Sequence, residues 1–183
     1  MLTLDGQLLV ATPRLADPNF SRTVILVLNH DEDGALGVVI NRPSPLAVAQ
    51  VLPDWSDVVA LPPMVFGGGP VAPDSALAVA IALGTGPAAG FQPVTATYGL
   101  VDLDASPGTV VPDLAGIRVF SGYAGWGAEQ LESEIDEGSW YVVPAAPGDL
   151  LSAEPETLWR RVLRRQPGEL AYVSTFPEDP AMN

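Results

Sequence analysis

The sequence predicts an α+β protein, and three observations carry that prediction. Short runs rich in Val, Ile and Leu, of strand rather than helix length, recur through the first two thirds. Two stretches in the last third read as helices, from an apolar stripe at helical spacing and from the residues at their ends. Punctuating both are 18 Gly and 19 Pro among 183 residues, a turn-rich content that stays below the range of low-complexity chains.

Leu8–Ala11 reads as a short strand, closed by Thr12-Pro13, and Asp17-Pro18-Asn19-Phe20 as a turn. Thr23–Asn29 (TVILVLN) and Ala35–Asn41 (ALGVVIN) are apolar almost throughout, which predicts strands covered on both faces. His30–Gly34 (HDEDG) joins them as a hairpin loop. Gly37 leaves space in the second strand for another backbone to approach. Leu46–Leu52 suggests a short helix, Val65–Val71 a strand entering a triple-glycine turn, and Ala76–Leu83 a strand of small residues. Thr85–Pro93 is expected as a loop, Thr95–Val101 and Ile117–Ser121 as strands. Trp126–Glu137 carries Ala128, Leu131 and Ile135 on one helical face, with Gly138 placed to end the helix. Trp140–Pro144 reads as a strand and Pro155–Arg165 as a helix with Pro in its first turn and Arg in its last. Tyr172–Phe176 is expected as a final strand. No repeat or long linker divides the chain, so residues 1–183 are expected to form one domain.

Composition excludes much chemistry. Eight basic residues, all Arg, oppose 22 acidic ones for a net charge of −14. Such a body repels phosphate backbones and anionic membrane surfaces, so neither nucleic-acid nor membrane binding is expected. With no Cys and no Lys, thiol nucleophiles, thiolate zinc sites and lysine Schiff bases are impossible. The first ten residues carry Asp5 and no positive segment, and the longest apolar run spans eight residues, Ala76–Leu83. The cytoplasm is the expected compartment.

The remaining polar groups define the candidate sites. Asn29-x-Asp31-x-Asp33-Gly34 matches half of a calcium loop, but its twelfth position is Ile40 and its flanks are strands, so an ordinary acidic turn is expected and no metal or cofactor. His30 is the only histidine: either a general base or a turn residue among acids. Arg42 leaves the end of an apolar strand beside Asn41, able to fork onto a carboxylate or phosphate, or to pin a carboxylate of the protein. Gly67, Gly68 and Gly69 offer either an anion-binding nest of N–H groups or a tight bend. SGYAGWGAEQ (121–130) reads as a strand running into a helix, with Tyr123 and Trp126 supplying contact area and Glu129 opposing any anion at the helix start. Glu129 and Glu132, three apart on one helix face, are either a carboxylate pair able to hold a metal or plain exposed acids, and Asp31 of the acidic turn completes the weaker candidates. Arg160, Arg161, Arg164 and Arg165 make one basic stripe, which the negative end of their helix suffices to explain.

Three blocks together resemble the YqgE/AlgH family: GQLLVATPRLADPNFSRTVILVLNHDEDGALGVVINRP (Gly6–Pro43), FGGGPV (66–71) and SGYAGWGAEQLESEI (121–135). Their order and spacing carry the resemblance from Gly6 to about Trp159. The family's third block has Gly where this chain has Glu129. The resemblance implies a curved, branched, barrel-like, mostly antiparallel sheet with a few peripheral helices. It implies no established catalytic residue, and some members are called transcriptional regulators. Two functions are therefore carried forward. One is a non-catalytic binding or regulatory protein, whose three blocks form a cleft for a protein partner or a small anionic ligand. The other is an enzyme acting on a small anionic metabolite, with His30 as base and Arg42 as electrostatic stabiliser. The second requires His30 and Arg42 to share a pocket.

Overall fold

In the computed structural model, which describes residues 3–84 and 89–178, ten strands form one curled, open sheet. Strand β1 (Gln7–Ala11) lies between β10 (Trp140–Pro144) and β2 (Val24–Asp31), antiparallel to both. Next comes β3 (Gly34–Val39), hairpinned to β2 with Asp31 opposite Gly34. The loop expected over residues 30–34 thus shrinks to the two-residue turn Glu32-Asp33, and His30 belongs to the strand. Asp31 closes the turn: its Oδ1 accepts from the N–H of Asp33 at 2.9 Å, and its Oδ2 accepts from Asn29 Nδ2 at 2.8 Å. These bonds hold its carboxyl below the usual aspartate range.

The long strand β9 (Leu114–Gly127) is the spine. One end pairs with β3 over Gly34–Gly37, and along its length it pairs with β6 (Val71–Ala82), which carries β8 (Tyr98–Val101) and β7 (Phe91–Pro93) beyond it. Where β3 and β9 diverge, the sheet branches. Strand β5 (Met64–Gly67) enters there parallel to β9, with Phe66 opposite Phe120, and β4 (Pro43–Ala47) pairs with β5. This parallel pair is the exception in an otherwise antiparallel sheet. The expected loop over Thr85–Pro93 contains β7 at its end, while residues 85–88 lie outside the described part.

Each sheet face has its own cover. Alternation sends Leu8, Val10, Leu26 and Phe120 into one cluster with α5 (Leu158–Arg164) and α4 (Pro147–Leu150), and sends Leu9, Ala11, Ile25 and Trp140 into a second under α3 (Gln130–Asp136). A third cluster packs α1 (Val48–Val51) and α2 (Pro107–Val110) against β6 and β9. Strands β1 and β2 are buried on both faces, as their near-continuous apolar runs predict for β2.

Several elements differ from expectation: β6 and β9 run longer than expected, α2 lies in a stretch expected as turns, and three further cases have clear causes. Helix α3 begins four residues later than Trp126, because Trp126 still pairs with Ala35 in the sheet and Glu129 turns the chain in a left-handed conformation, φ 59°. Residues expected as a final strand instead form α6 (Leu170–Val173) and a turn, since β10 and β7 already end the sheet path and leave that segment to pack on α5. Strand β4, with its two prolines, takes part of what reads as turn and helix. It pairs with β5 alone, the edge position that prolines tolerate.

Candidate functional site

The triple glycine sits at the branch of the sheet. The N–H of Val39 donates to Gly68 O at 2.9 Å, and the N–H of Gly68 donates to Ser121 O at 2.9 Å, so Gly68 bridges β3 and β9 where they separate. The N–H of Gly67 donates to Arg42 O at 2.8 Å. Gly69 has φ 150°, and a Cβ there would lie 2.2 Å from the carbonyl of Tyr123. Only glycine lets these backbones pass so close. Two of the three N–H groups are spent inside the protein, so the stretch is a tight junction and not an open nest for an anion.

Asn41 and Arg42 stand beside it. Asn41 Oδ1 accepts from the N–H of Val24 at 2.9 Å and its Nδ2 donates to Arg22 O at 2.9 Å, which extends the β2–β3 ladder by a side chain. Among the described residues Arg42 meets no carboxylate within 4 Å. Its Nη1 donates to the carbonyls of Pro18 and Asn19 at 2.9 and 2.6 Å, and its Nη2 to Ser21 O at 2.7 Å. Burial lowers its pKa from the usual arginine value, and Asp17 partly offsets that. The guanidinium pins the turn over residues 17–21 to the sheet. Arg42, Gly67 and Gly69 line one shallow hollow of about 300 Å³ with Asn19, Val39, Pro70 and Pro73. Tyr123 adjoins it through its backbone, and its half-buried ring packs toward the first core cluster. Trp126 does not reach it. That indole lies in the second cluster, edge-on to Trp140 at 6.1 Å, and both indole N–H groups donate to Glu134 Oε2 at 2.9 Å.

His30 is elsewhere. It is 6% exposed at the hairpin end of β2, where its Nδ1 accepts from the N–H of Leu4 at 3.2 Å and its Nε2 meets Glu132 Oε1 at 2.8 Å. Accepting at Nδ1 places the imidazole proton on Nε2, donated to Glu132. The expected solvated turn residue is a buried link between the N-terminal segment, β2 and α3. From Ala35, opposite His30, to Arg42 the chain extends on the order of 20 Å. The hollow lined by Arg42 does not contain His30, which is buried between Leu4 and Glu132, so the pairing of base and stabiliser that the enzymatic reading needs is not formed there.

Asp31 and Glu132 share a broad acidic depression of about 840 Å³ with Glu32, Glu129, Asp136 and Glu137. Among the described residues no three His, Asp or Glu side chains converge as for a metal ion. Glu132's own backbone N–H, then His30, hold its carboxyl below the ordinary 4.5.

One buried cation escapes a reading by motif. Arg118, 1% exposed, donates to the carbonyls of Leu150, Ser152 and Leu61 at 3.2, 2.8 and 2.6 Å and lies 4.1 Å over the Phe66 ring. Burial brings its pKa down to about 10. The signal was available: in Ile117–Arg118–Val119–Phe120, alternation puts Arg118 on the face of Phe120. The basic stripe of α5 is mostly exposed, yet three of its four arginines are bonded within the protein. Arg165 pairs with Asp149 (Nη1–Oδ1 2.6 Å), Arg160 donates to Ser174 O, and Arg161 to Thr157 Oγ1 at 2.9 Å.

A curled sheet branched at a glycine junction, with its motif side chains turned to holding strands and turns together, defines a class of α+β half-barrel proteins. A family model described as AlgH-like matches residues 8–171, and the chain belongs to that family. A UPF0301 protein of Streptomyces coelicolor is 55% identical over 99% of this chain and 96% of its own length. A UPF0301 protein of Mycobacteroides abscessus is 43% identical over 97% and 87%. Among solved structures, a protein of Corynebacterium diphtheriae superposes with a TM-score of 0.88 at 34% identity, covering 94% of this chain and 92% of its own. The AlgH protein of Pseudomonas aeruginosa gives 0.71 at 31%, covering 96% and 95%.

Proposed function

We propose that the chain is a non-catalytic binding protein of the cytoplasm, acting as a regulator through a protein partner seated over the hollow beside Arg42, Gly67, Gly69 and Pro70. One observation carries the reading: the groups able to do chemistry are committed to the fold. His30 is held between Leu4 and Glu132, Arg42 on three carbonyls, and the N–H groups of Gly67 and Gly68 on Arg42 and Ser121. What the hollow offers is shape, proline surface and backbone oxygen, which suit recognition and not turnover. The charge of −14 speaks against direct contact with DNA.

A photo-cross-linking residue at position 70, in cells, tests the reading against one at Asp104, an exposed control. A discrete cross-linked protein at 70, missing at 104 and lost on Pro73→Trp, is the expected result. Equal labelling at both positions would refute the assigned face. Saturable turnover of a metabolite, abolished by His30→Gln in a folded protein, would overturn the non-catalytic assignment.

A further inference from the structure

A second cavity, of about 390 Å³, opens between residues 12–22 and the tail at Phe176–Glu178. Its volume lies in the range of small-molecule sites. Two arginines line it, Arg14 and Arg22, with Thr12 and Ser21 between them. Neither has a carboxylate within 4 Å among the described residues, although acids outnumber arginines 22 to 8. The two ion pairs of the described residues, His30–Glu132 and Arg165–Asp149, lie elsewhere.

Arg22 is held in an unusual state. Its φ is 60°, the left-handed region that disfavours an L side chain, and Asn41 fixes it there through the Arg22 carbonyl. Its guanidinium lies 4.0 Å over the Trp159 ring. Nη2 donates to the carbonyls of Phe176 and Pro177, while Nη1 is buried without an acceptor among the described residues. Arg160 brings a further positive charge to the same indole, 6.0 Å from its centre. A buried guanidinium nitrogen without an acceptor is costly unless something else meets it. Burial and then Arg160 lower the Arg22 pKa, and Glu178 alone raises it. Glu178 thus acts on Arg22 through space without forming a pair within 4 Å.

We propose that this cavity binds a small oxyanion, the carboxylate or phosphate group of a metabolite, on the forks of Arg22 and Arg14, in competition with Glu178 and the carbonyls of the tail. Planar guanidinium forks match both groups. The ligand replaces the Phe176 and Pro177 carbonyls on Arg22, so its binding loosens the tail. This cavity is separate from the hollow beside Arg42, and its failure leaves the partner reading standing.

Inorganic phosphate and succinate, titrated separately into the full chain at constant ionic strength, test the proposal by calorimetry and tryptophan fluorescence. Saturable binding of either ion, with a Kd below about 10 mM, is expected, and which ion binds tells the ligand class. Arg14→Gln and Arg22→Gln should each weaken it at least about tenfold, as loss of a charge-assisted fork does. Glu178→Gln should tighten it several-fold, and Arg164→Gln, on the exposed side of α5, should leave it unchanged. If Arg22→Gln does not fold, Arg14→Gln and Glu178→Gln still decide. No saturation by either ion, or equal affinity in wild type, Arg14→Gln and Glu178→Gln, would overturn the site.

Discussion

At the scale of single residues, positions that read as ligand contacts turn out to be joints. Arg42 is the clearest. Because its acceptors are backbone carbonyls of residues 18, 19 and 21, its removal frees a turn and leaves those oxygens to water or to nothing. Arg42→Ala is expected to cost about 1–3 kcal/mol in urea unfolding. Arg42→Lys should recover only part of it, since one ammonium cannot span three carbonyls as the fork does. Glu129 is the opposite case, a residue in a conformation its side chain disfavours. Glycine takes φ 59° without that cost. Glu129→Gly is therefore expected to raise stability by about 0.5–1 kcal/mol, read from the same unfolding curves.

At the scale of elements, the sequence is most legible where one physical signal dominates. Residues 140–144 are an unbroken run of bulky apolar residues closed by a proline, and β10 has those bounds. Pro155–Arg165 carries stop and start signals at both ends, and a 3₁₀ turn followed by α5 fills it. Legibility fails where glycine or proline hides the period. In SGYAGWG, three glycines break the alternation that continues β9 to residue 127, so the segment reads as helix entry. The junction at Gly67–Gly69 is visible as a bend, but not the strands it joins, because those partners lie far along the chain. His30 misleads for a related reason: its acidic neighbours suggest solvent, and only the packing of α3 shows it buried. Its partner Glu132, held first by its own backbone N–H and then by His30, gives this part of the fold an acid dependence. Glu132 has its folded pKa depressed, so its contribution is present above about 4.5 and is lost as pH falls through the lower folded value. Unfolding measured between pH 6 and pH 3 should show wild type losing stability below about 4.5, with a shallower loss in Glu132→Gln.

At the scale of the whole molecule, the first strand waits for the last strand of the described residues. Gln7 pairs with Pro144 and Leu8 with Val143, while Leu8, Leu9 and Val10 are all fully buried. During synthesis the outer edge of β1 therefore has no strand to meet until residues 140–144 leave the ribosome. At about 5–20 residues per second that interval is on the order of ten seconds. Throughout it, an apolar edge with open N–H and C=O groups is available to other nascent chains. The protein should thus depend on whatever shields that edge, and folding should complete after translation, not along it. A chain ending at residue 139 is expected to be cleaved rapidly in pulse proteolysis and to aggregate, while the full chain resists. Adding the segment 140–183 in trans should restore resistance only if it arrives before the edges of two truncated chains have found each other.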